Sequence, residues 1–263
     1  MIIVADNIRI TDRIIADAIA QMNPVPVQKM AIECEKAGAQ VIDVNSGPLS
    51  RTPEKQMNFI IDAIQQVSDL PLIIDTANPK AMEAGVRACK SMPTINGFSL
   101  ESSKLDKILP LAKEFRTDII AYLLYPNGHV PPDGDKRLEI AVEILEKFKE
   151  TGIEEKRLII DPVIVPLSWQ NGKFQAREVL YVIKHLPDVF GFPVRTIAGL
   201  SNLTTGSGHK AQKLIMEKAY LSMLASAGLS MIMMNVFHHE AIKTVKACNL
   251  LIDEKIFAWE EMY

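Results

Sequence analysis

Eight short apolar runs recur along the chain at roughly the thirty-residue repeat of a strand–helix–strand unit. They are Ile2–Val4, Val41–Val44, Leu72–Asp75, Thr94–Phe98, Asp118–Leu124, Leu158–Pro162, Thr196–Leu200 and Ser230–Asn235. Most show no alternation of apolar and polar residues, which is how parallel strands covered on both faces read. Between them the period changes to that of a helix. Met57, Ile60, Ile61, Ile64 and Val67 fall on one face, as do Leu138, Ala141, Val142, Leu145 and Phe148. Glu143 stands four residues before Lys147 on the solvent side, the favourable order for an ion pair. Pro53 and Pro79 mark helix starts. Gly38, Gly152 and Gly228 mark helix ends with left-handed caps.

A strand–helix unit repeated eight times either closes into a barrel or stays open as a doubly wound sheet. An open dinucleotide-binding sheet carries a glycine fingerprint after its first strand. Here that segment is Ala5-Asp6-Asn7-Ile8-Arg9-Ile10, without a glycine. The pattern therefore predicts an α/β fold, a single (β/α)8 TIM barrel, with residues 1–263 as one domain. The length of 263 residues suits such a barrel, and 48% hydrophobic residues supply a core that needs no disulfide or metal.

Charge narrows the function classes. The formal charge is −3 and no block of five like charges occurs, so neither a nucleic-acid footprint nor a polybasic membrane segment is present. No apolar stretch approaches the roughly 20 residues of a membrane span. The start lacks the basic region of a signal peptide. Cys34, Cys89 and Cys248 fall in helical patterns with no Cys-x-x-Cys pair, as reduced thiols of a cytoplasmic protein would.

The informative pattern is where the polar residues fall. Strand after strand ends in a carboxylate or carboxamide: Asp6, Asp43 and Asn45, Asp75 and Asn78, Asn96, Asp161, Asn202 and Asn235. In a barrel these ends converge on the mouth that holds the active site. Helix capping explains any single one of them. It does not explain seven strands at once, nor an apolar run that ends directly in an acid, as Leu158-Ile159-Ile160-Asp161 does. Candidate cations are few: Arg51, His209 and Lys210. Such a mouth suits a neutral heterocycle, because carboxylates accept from an amino group and a ring N–H together, while carboxamides both donate and accept. A pterin presents that edge.

Three further segments stay open. Gly206 and Gly208 with Lys210 after the seventh strand would suit the phosphate site many barrels build there, although the spacing is not that of a P-loop. His238 and His239 read as a helix entry or a metal site; adjacent helical residues do not share a face, which disfavours the metal. Trp169, in Ser168-Trp169-Gln170-Asn171-Gly172, reads as a lid or partner contact, or as a core residue folded down.

Several motifs match a known family in order and along the whole chain. They are Asn23-Pro24-Val25-Pro26-Val27-Gln28, Asp43-Val44-Asn45-Ser46-Gly47-Pro48, Ile74-Asp75-Thr76-Ala77-Asn78, Ile95-Asn96-Gly97, Ile160-Asp161-Pro162-Val163-Ile164-Val165-Pro166 and Gly199-Leu200-Ser201-Asn202. The chain resembles the methyltetrahydrofolate:corrinoid protein methyltransferases of the pterin-binding barrel superfamily. The resemblance implies a homodimeric enzyme that binds tetrahydrofolate or methyltetrahydrofolate as substrate. It implies cobalamin carried by a partner corrinoid protein, and no metal bound by this chain. By the same resemblance Asp75, Asn96 and Asp161 bind the pterin ring, with Asp6, Asp43 and Asn45 around them, and Asn202 lies beside N5 as the catalytic residue.

The resemblance has departures. The family's first strand ends in Gly-Glu-Arg-x-Asn, where this chain has Ala5-Asp6-Asn7-Ile8-Arg9: Asp6 stands for the glutamate and the arginine after it is gone. Tyr125-Pro126-Asn127-Gly128-His129 replaces an Asn-Lys pair, Thr205 a glutamine and Lys210 an arginine. The alternatives are a dihydropteroate synthase-like pterin enzyme and a non-catalytic folate-binding subunit. The first needs Ser/Thr-Arg-Pro and Ser-Arg-Lys type segments for pyrophosphate, and neither occurs; the second would keep Asp75, Asn96 and Asp161 without needing Asn202.

Overall fold

Strand β1 (Ile2–Arg9) pairs on one side with β2 (Val41–Asn45) and on the other with β8 (Met231–Met234), and this last pairing closes a barrel. Between them run β3 (Leu72–Asp75), β4 (Thr94–Phe98), β5 (Asp118–Tyr122), β6 (Leu158–Asp161) and β7 (Arg195–Gly199), all parallel and in sequence order. The structure is a computed structural model describing residues 1–49, 51–254 and 259. The expected extent of 1–263 thus includes Ser50, 255–258 and 260–263, which lie outside the described residues.

Helices return the chain after each strand: α1 (Arg13–Gln21), α2 (Pro24–Lys36), α3 (Pro53–Gln65), α4 (Pro79–Ala88), α5 (Ser102–Lys107) and α6 (Leu109–Phe115). Then follow α7 (Gly134–Glu150), α8 (Gly172–Phe190), α9 (Lys210–Ala227) and α10 (His239–Ile252). Pro53 and Pro79 do open helices, and Gly38, Gly152 and Gly228 do take positive φ at or just beyond helix ends. The α3 face is as read, with Met57, Ile60, Ile61 and Ile64 fully buried. On α7, Val142 turns out to solvent and Ile144 takes the buried place, since a stripe of period 3.6 drifts off strict spacing. Lys147 pairs with Glu150 at 3.6 Å rather than with Glu143. Cys89 sits just past the end of α4 instead of inside a helix.

Two cores follow from the two faces of the sheet. Outward-facing strand residues such as Ile42, Ile74 and Ile160 pack against the helices. Inward-facing Val4, Val41, Ile73, Ile120, Ile159, Ile197 and Met231 fill the barrel itself. This apolar plug makes the lower barrel solid, so a ligand has access only above it.

The first strand is longer than its apolar run. Ala5 stands opposite Ile42 but Ile8 opposite Val44, so Asp6 and Asn7 together face a single residue of β2. This bulge resets the alternation: Ile8 points outward into the helix layer and Arg9 inward.

Candidate active site

The period of two in a strand builds the site. Two residues beyond the apolar plug, the eight strands present Asp6, Asp43, Asp75, Asn96, Tyr122, Asp161, Gly199 and Met233, and all eight line one cavity of about 280 Å³. Asn45, Arg9, Ser201 and Asn202 line its upper wall. Every residue expected at the site is therefore brought together: Asp6, Asp43, Asn45, Asp75, Asn96, Asp161 and Asn202.

Hydrogen bonds fix most of the ring. Asn45 Nδ2 donates to Asp75 Oδ2 at 2.5 Å. The Tyr122 hydroxyl donates to Asn96 Oδ1, and the Asn96 side chain in turn hydrogen-bonds Asp43. The Val163 N–H donates to Asp161 Oδ1 at 2.8 Å, and Ser201 Oγ to Asp6 Oδ2 at 3.3 Å. Among the described residues two buried oxygens have no partner, Asp6 Oδ1 and Asp43 Oδ1.

Burial raises the proton affinity of all four carboxyl groups in the mouth, and at Asp43 the neighbouring acids add to it. Burial pushes Asp161 up to about 7 and Asp75 up to about 6. Asp43 is held well above the usual carboxylate range by burial and by Asp75 and Asp6. Burial also raises Asp6, against the pull of Arg9. Burial and the surrounding acids raise the Tyr122 hydroxyl, so it stays a donor at neutral pH.

Asn202 sits in a tight 3-10 turn, Leu200–Thr204, directly after β7. Gly199 leaves it room, since a Cβ there would lie 3.1 Å from Asn202 Nδ2 and push the carboxamide by a few tenths of an ångström. The turn is braced from behind. Thr204 Oγ1 donates to the buried Glu217 of α9, whose other oxygen lies 3.7 Å from His238 Nδ1. His238 thus stands at the entry of α10. Among the described residues no group of three or more His, Cys, Asp or Glu side chains is placed to hold a metal ion.

Other polar strand ends serve the fold instead. Asn78 caps α4, accepting from the Lys80 and Ala81 N–H groups. Asn235 accepts from Asn7 Nδ2 and the Phe237 N–H, sealing the seam between β1 and β8. Arg51 lines a separate groove with Ile10 and Leu49, while His209 and Lys210 are exposed at the start of α9. Arg9 brings a guanidinium to the cavity wall, its Nη1 3.8 Å from Asp6 Oδ2. Lys213, not Lys210, engages the glycine loop, through Gly206 O at 2.6 Å. Trp169 is 52% exposed. No helix among the described residues is long and apolar enough to cross a membrane.

Arg9, Tyr122 and Ser201 were not singled out from the sequence. Tyr122 was legible: it stands two residues after Ile120, as Asp43 does after Val41. Arg9 was not, because its inward direction depends on the bulge.

Similarities to known proteins follow the same lines. The sequence pattern of a family described as "Pterin binding enzyme" matches residues 11–235. The chain is 25% identical over 255 residues to a methylcorrinoid:tetrahydrofolate methyltransferase of Eubacterium limosum, the match covering 96% of this chain and 91% of that one. It is 23% identical over 206 residues to methionine synthase of Mycobacterium tuberculosis, covering 73% of this chain and 16% of that protein. A dihydropteroate synthase of Xanthomonas albilineans, solved with 4-aminobenzoic acid, has a TM-score of 0.67 at 20% identity, covering 95% of this chain and 90% of the other. That of Vibrio fischeri ES114 has a TM-score of 0.68 at 18% identity, covering 97% and 94%. At such identities the structural likeness is one of fold.

Proposed function

The chain belongs to the pterin binding enzyme family, and on that footing we propose that it is a methyltetrahydrofolate:corrinoid protein methyltransferase. It moves a methyl group between N5 of tetrahydrofolate and the cobalt of a corrinoid held by a separate protein. The observation that carries this reading is the ring of buried acids and amides around one cavity, in which Asp75 and Asp161 face the ligand space and two further oxygens, Asp6 Oδ1 and Asp43 Oδ1, have no protein partner. Unpaired buried acceptors are costly in a protein on its own and are satisfied by a ligand that brings N–H groups. A pterin brings an amino group and a ring N–H on one edge.

In this reading Asp75 and Asp161 accept from those N–H groups, flanked by Asp6, Asp43 and Asn45. Asn96, its oxygen occupied by Tyr122 and its amide bonded to Asp43, has its second N–H to offer to a ring acceptor. A cavity of about 280 Å³ lies just below the roughly 300–1,000 Å³ usual for ligand pockets. It encloses the bicyclic ring and leaves the folate tail at the rim. Asn202 stands at that rim, on the turn after β7.

The chemistry asks for little more. Methyl departure from N5 leaves an amide-like anion, so N5 must gain a proton or a hydrogen bond as the bond breaks. Interactions that strengthen in the transition state raise the rate, and a preorganised carboxamide donor such as Asn202 is one. The corrinoid supplies the cobalt centre that exchanges the methyl group, so no nucleophile is required of this chain. The relative from Eubacterium limosum, matched over nearly its whole length, supports the same assignment. A dihydropteroate synthase reaction is less well served. It must hold a departing pyrophosphate, and the one guanidinium lining the cavity, Arg9, already faces Asp6. A homodimer in the cytoplasm and one functional unit over 1–263 belong to the same proposal.

Calorimetry with methyltetrahydrofolate on chelator-treated protein tests the pocket. Binding without added metal is expected. Asp75→Ala should weaken it about 10–100-fold, the loss of a charge-assisted hydrogen bond. Absence of binding at millimolar folate contradicts the proposal.

A further inference from the structure

Arg137 is a large, fully buried side chain in a wall of the barrel that the proposed chemistry leaves unused. It rises from the first turns of α7 and all its partners are uncharged. Nε donates to Pro131 O at 2.9 Å and Nη2 to Gln175 Oε1 of α8 at 2.9 Å. Nη1 donates to Pro162 O at 2.9 Å and to Val163 O at 3.3 Å. Burying a guanidinium without a carboxylate partner is expensive unless its donors are used fully. Here they are spread over the Pro131 carbonyl, the Gln175 side chain and the turn that follows Asp161, which takes both bonds from Nη1.

That turn is strained. Val163 has φ of +64°, a left-handed conformation that β-branched residues almost never adopt. Such outliers persist where the surroundings over-determine them. On the near side of this residue the Val163 N–H points back at Asp161 Oδ1, at 2.8 Å. That hydrogen bond fixes the rotation of the carboxylate and leaves Oδ2 for the cavity that Asp161 lines. Arg137 grips the successive carbonyls of Pro162 and Val163 through Nη1, while Nε and Nη2 hold Pro131 and Gln175. A planar fork with fixed donor directions does this; a lysine, with its point charge, does not.

We propose that Arg137 is a positioning residue that orients Asp161 for the ligand by clamping the Pro162–Val163 turn. The ligand side of this inference rests on the pocket reading above; the clamp does not. Burial leaves the guanidinium at about 10, so it is charged and fully donating throughout the neutral range.

The test compares Arg137→Lys with the wild-type chain in two measurements. The first is amide hydrogen exchange in ligand-free protein. Exchange at the Val163 N–H should speed up about fivefold or more, the loss of at least one hydrogen bond, while amides of β2, β3 and β7 keep wild-type protection. The second is the dissociation constant for methyltetrahydrofolate, which should rise by a similar factor. General loosening of the barrel would instead raise exchange across the strands together. Gln175→Ala, which leaves the charge and removes one partner, is the milder variant should Arg137→Lys not fold, and it should change Val163 exchange in the same direction. Wild-type protection of Val163 in a folded variant overturns the clamp. Faster exchange at Val163 with an unchanged folate constant upholds the clamp and removes Asp161 from the folate pocket.

Discussion

Replacing Asp161 by asparagine should make the ligand-free barrel more stable and its folate complex weaker. Burial lifts this carboxyl to about 7, against the pull of the Val163 N–H and of Arg137. In the unfolded chain it returns to its ordinary value of 3.8. Between the two values the folded state holds a proton that the unfolded state has lost. Stability therefore falls as pH rises from about 4 to about 7, and stays at the lower level above. A shift of about three units corresponds to at most ~4 kcal/mol. Water at the open mouth screens part of this, leaving about 1–2 kcal/mol. Asparagine keeps Oδ1 for the Val163 N–H and removes the charge, so the turn is preserved. Thermal melts followed by circular dichroism should show the variant about 2–6 °C more stable at pH 8. The gain should shrink to about a quarter near pH 4.5. Folate affinity should drop about 10–100-fold in the same variant. A gain independent of pH, or a loss of stability at pH 8, would refute the assignment of a buried, proton-hungry carboxylate to Asp161.

Two further outcomes follow from the same geometry. Asn202→Ala should slow single-turnover methyl transfer by about 10²–10³ while raising the folate dissociation constant far less; equal losses in both would make Asn202 a binding residue only. Pterin N–H donors favour ionised carboxylates, and Asp161 and Asp75 titrate at about 7 and about 6. Folate affinity should therefore fall as pH drops through that range, with proton release on binding; calorimetry in buffers of different ionisation heat reads both, and affinity rising toward acid would contradict the assignment.

Much of the barrel could be read from the chain because buried parallel strands carry their signal in a few consecutive residues. Leu72–Asp75 and Thr94–Phe98 were placed at their observed limits for this reason. The acids were legible because each interrupts an apolar run at the level where the plug ends. What escaped were features decided by geometry beyond the local period. The bulge at Asp6 and Asn7 extended β1 to Arg9 and put a cation in the mouth. Asn78 and Asn235 look the same as Asn96 in sequence, yet one caps a helix and the other seals a seam. Their difference is one of level: Asn96 lies within its strand, whereas Asn78 and Asn235 lie past the ends of theirs. Arg137 gave no signal at all, since a charged residue near a helix start reads as solvated, and only the fold turns it inward.

The central claim is methyl transfer at the mouth of this barrel. Cobalt(I) corrinoid, mixed with methyltetrahydrofolate and the protein, reports it directly by absorbance, with free cobalamin standing in for the partner-bound form. Loss of the cobalt(I) spectrum and appearance of methylcobalt in a single turnover are expected, dependent on the protein and slowed by Asn202→Ala. A rate no faster than the protein-free mixture, under conditions where calorimetry shows folate bound, would contradict it.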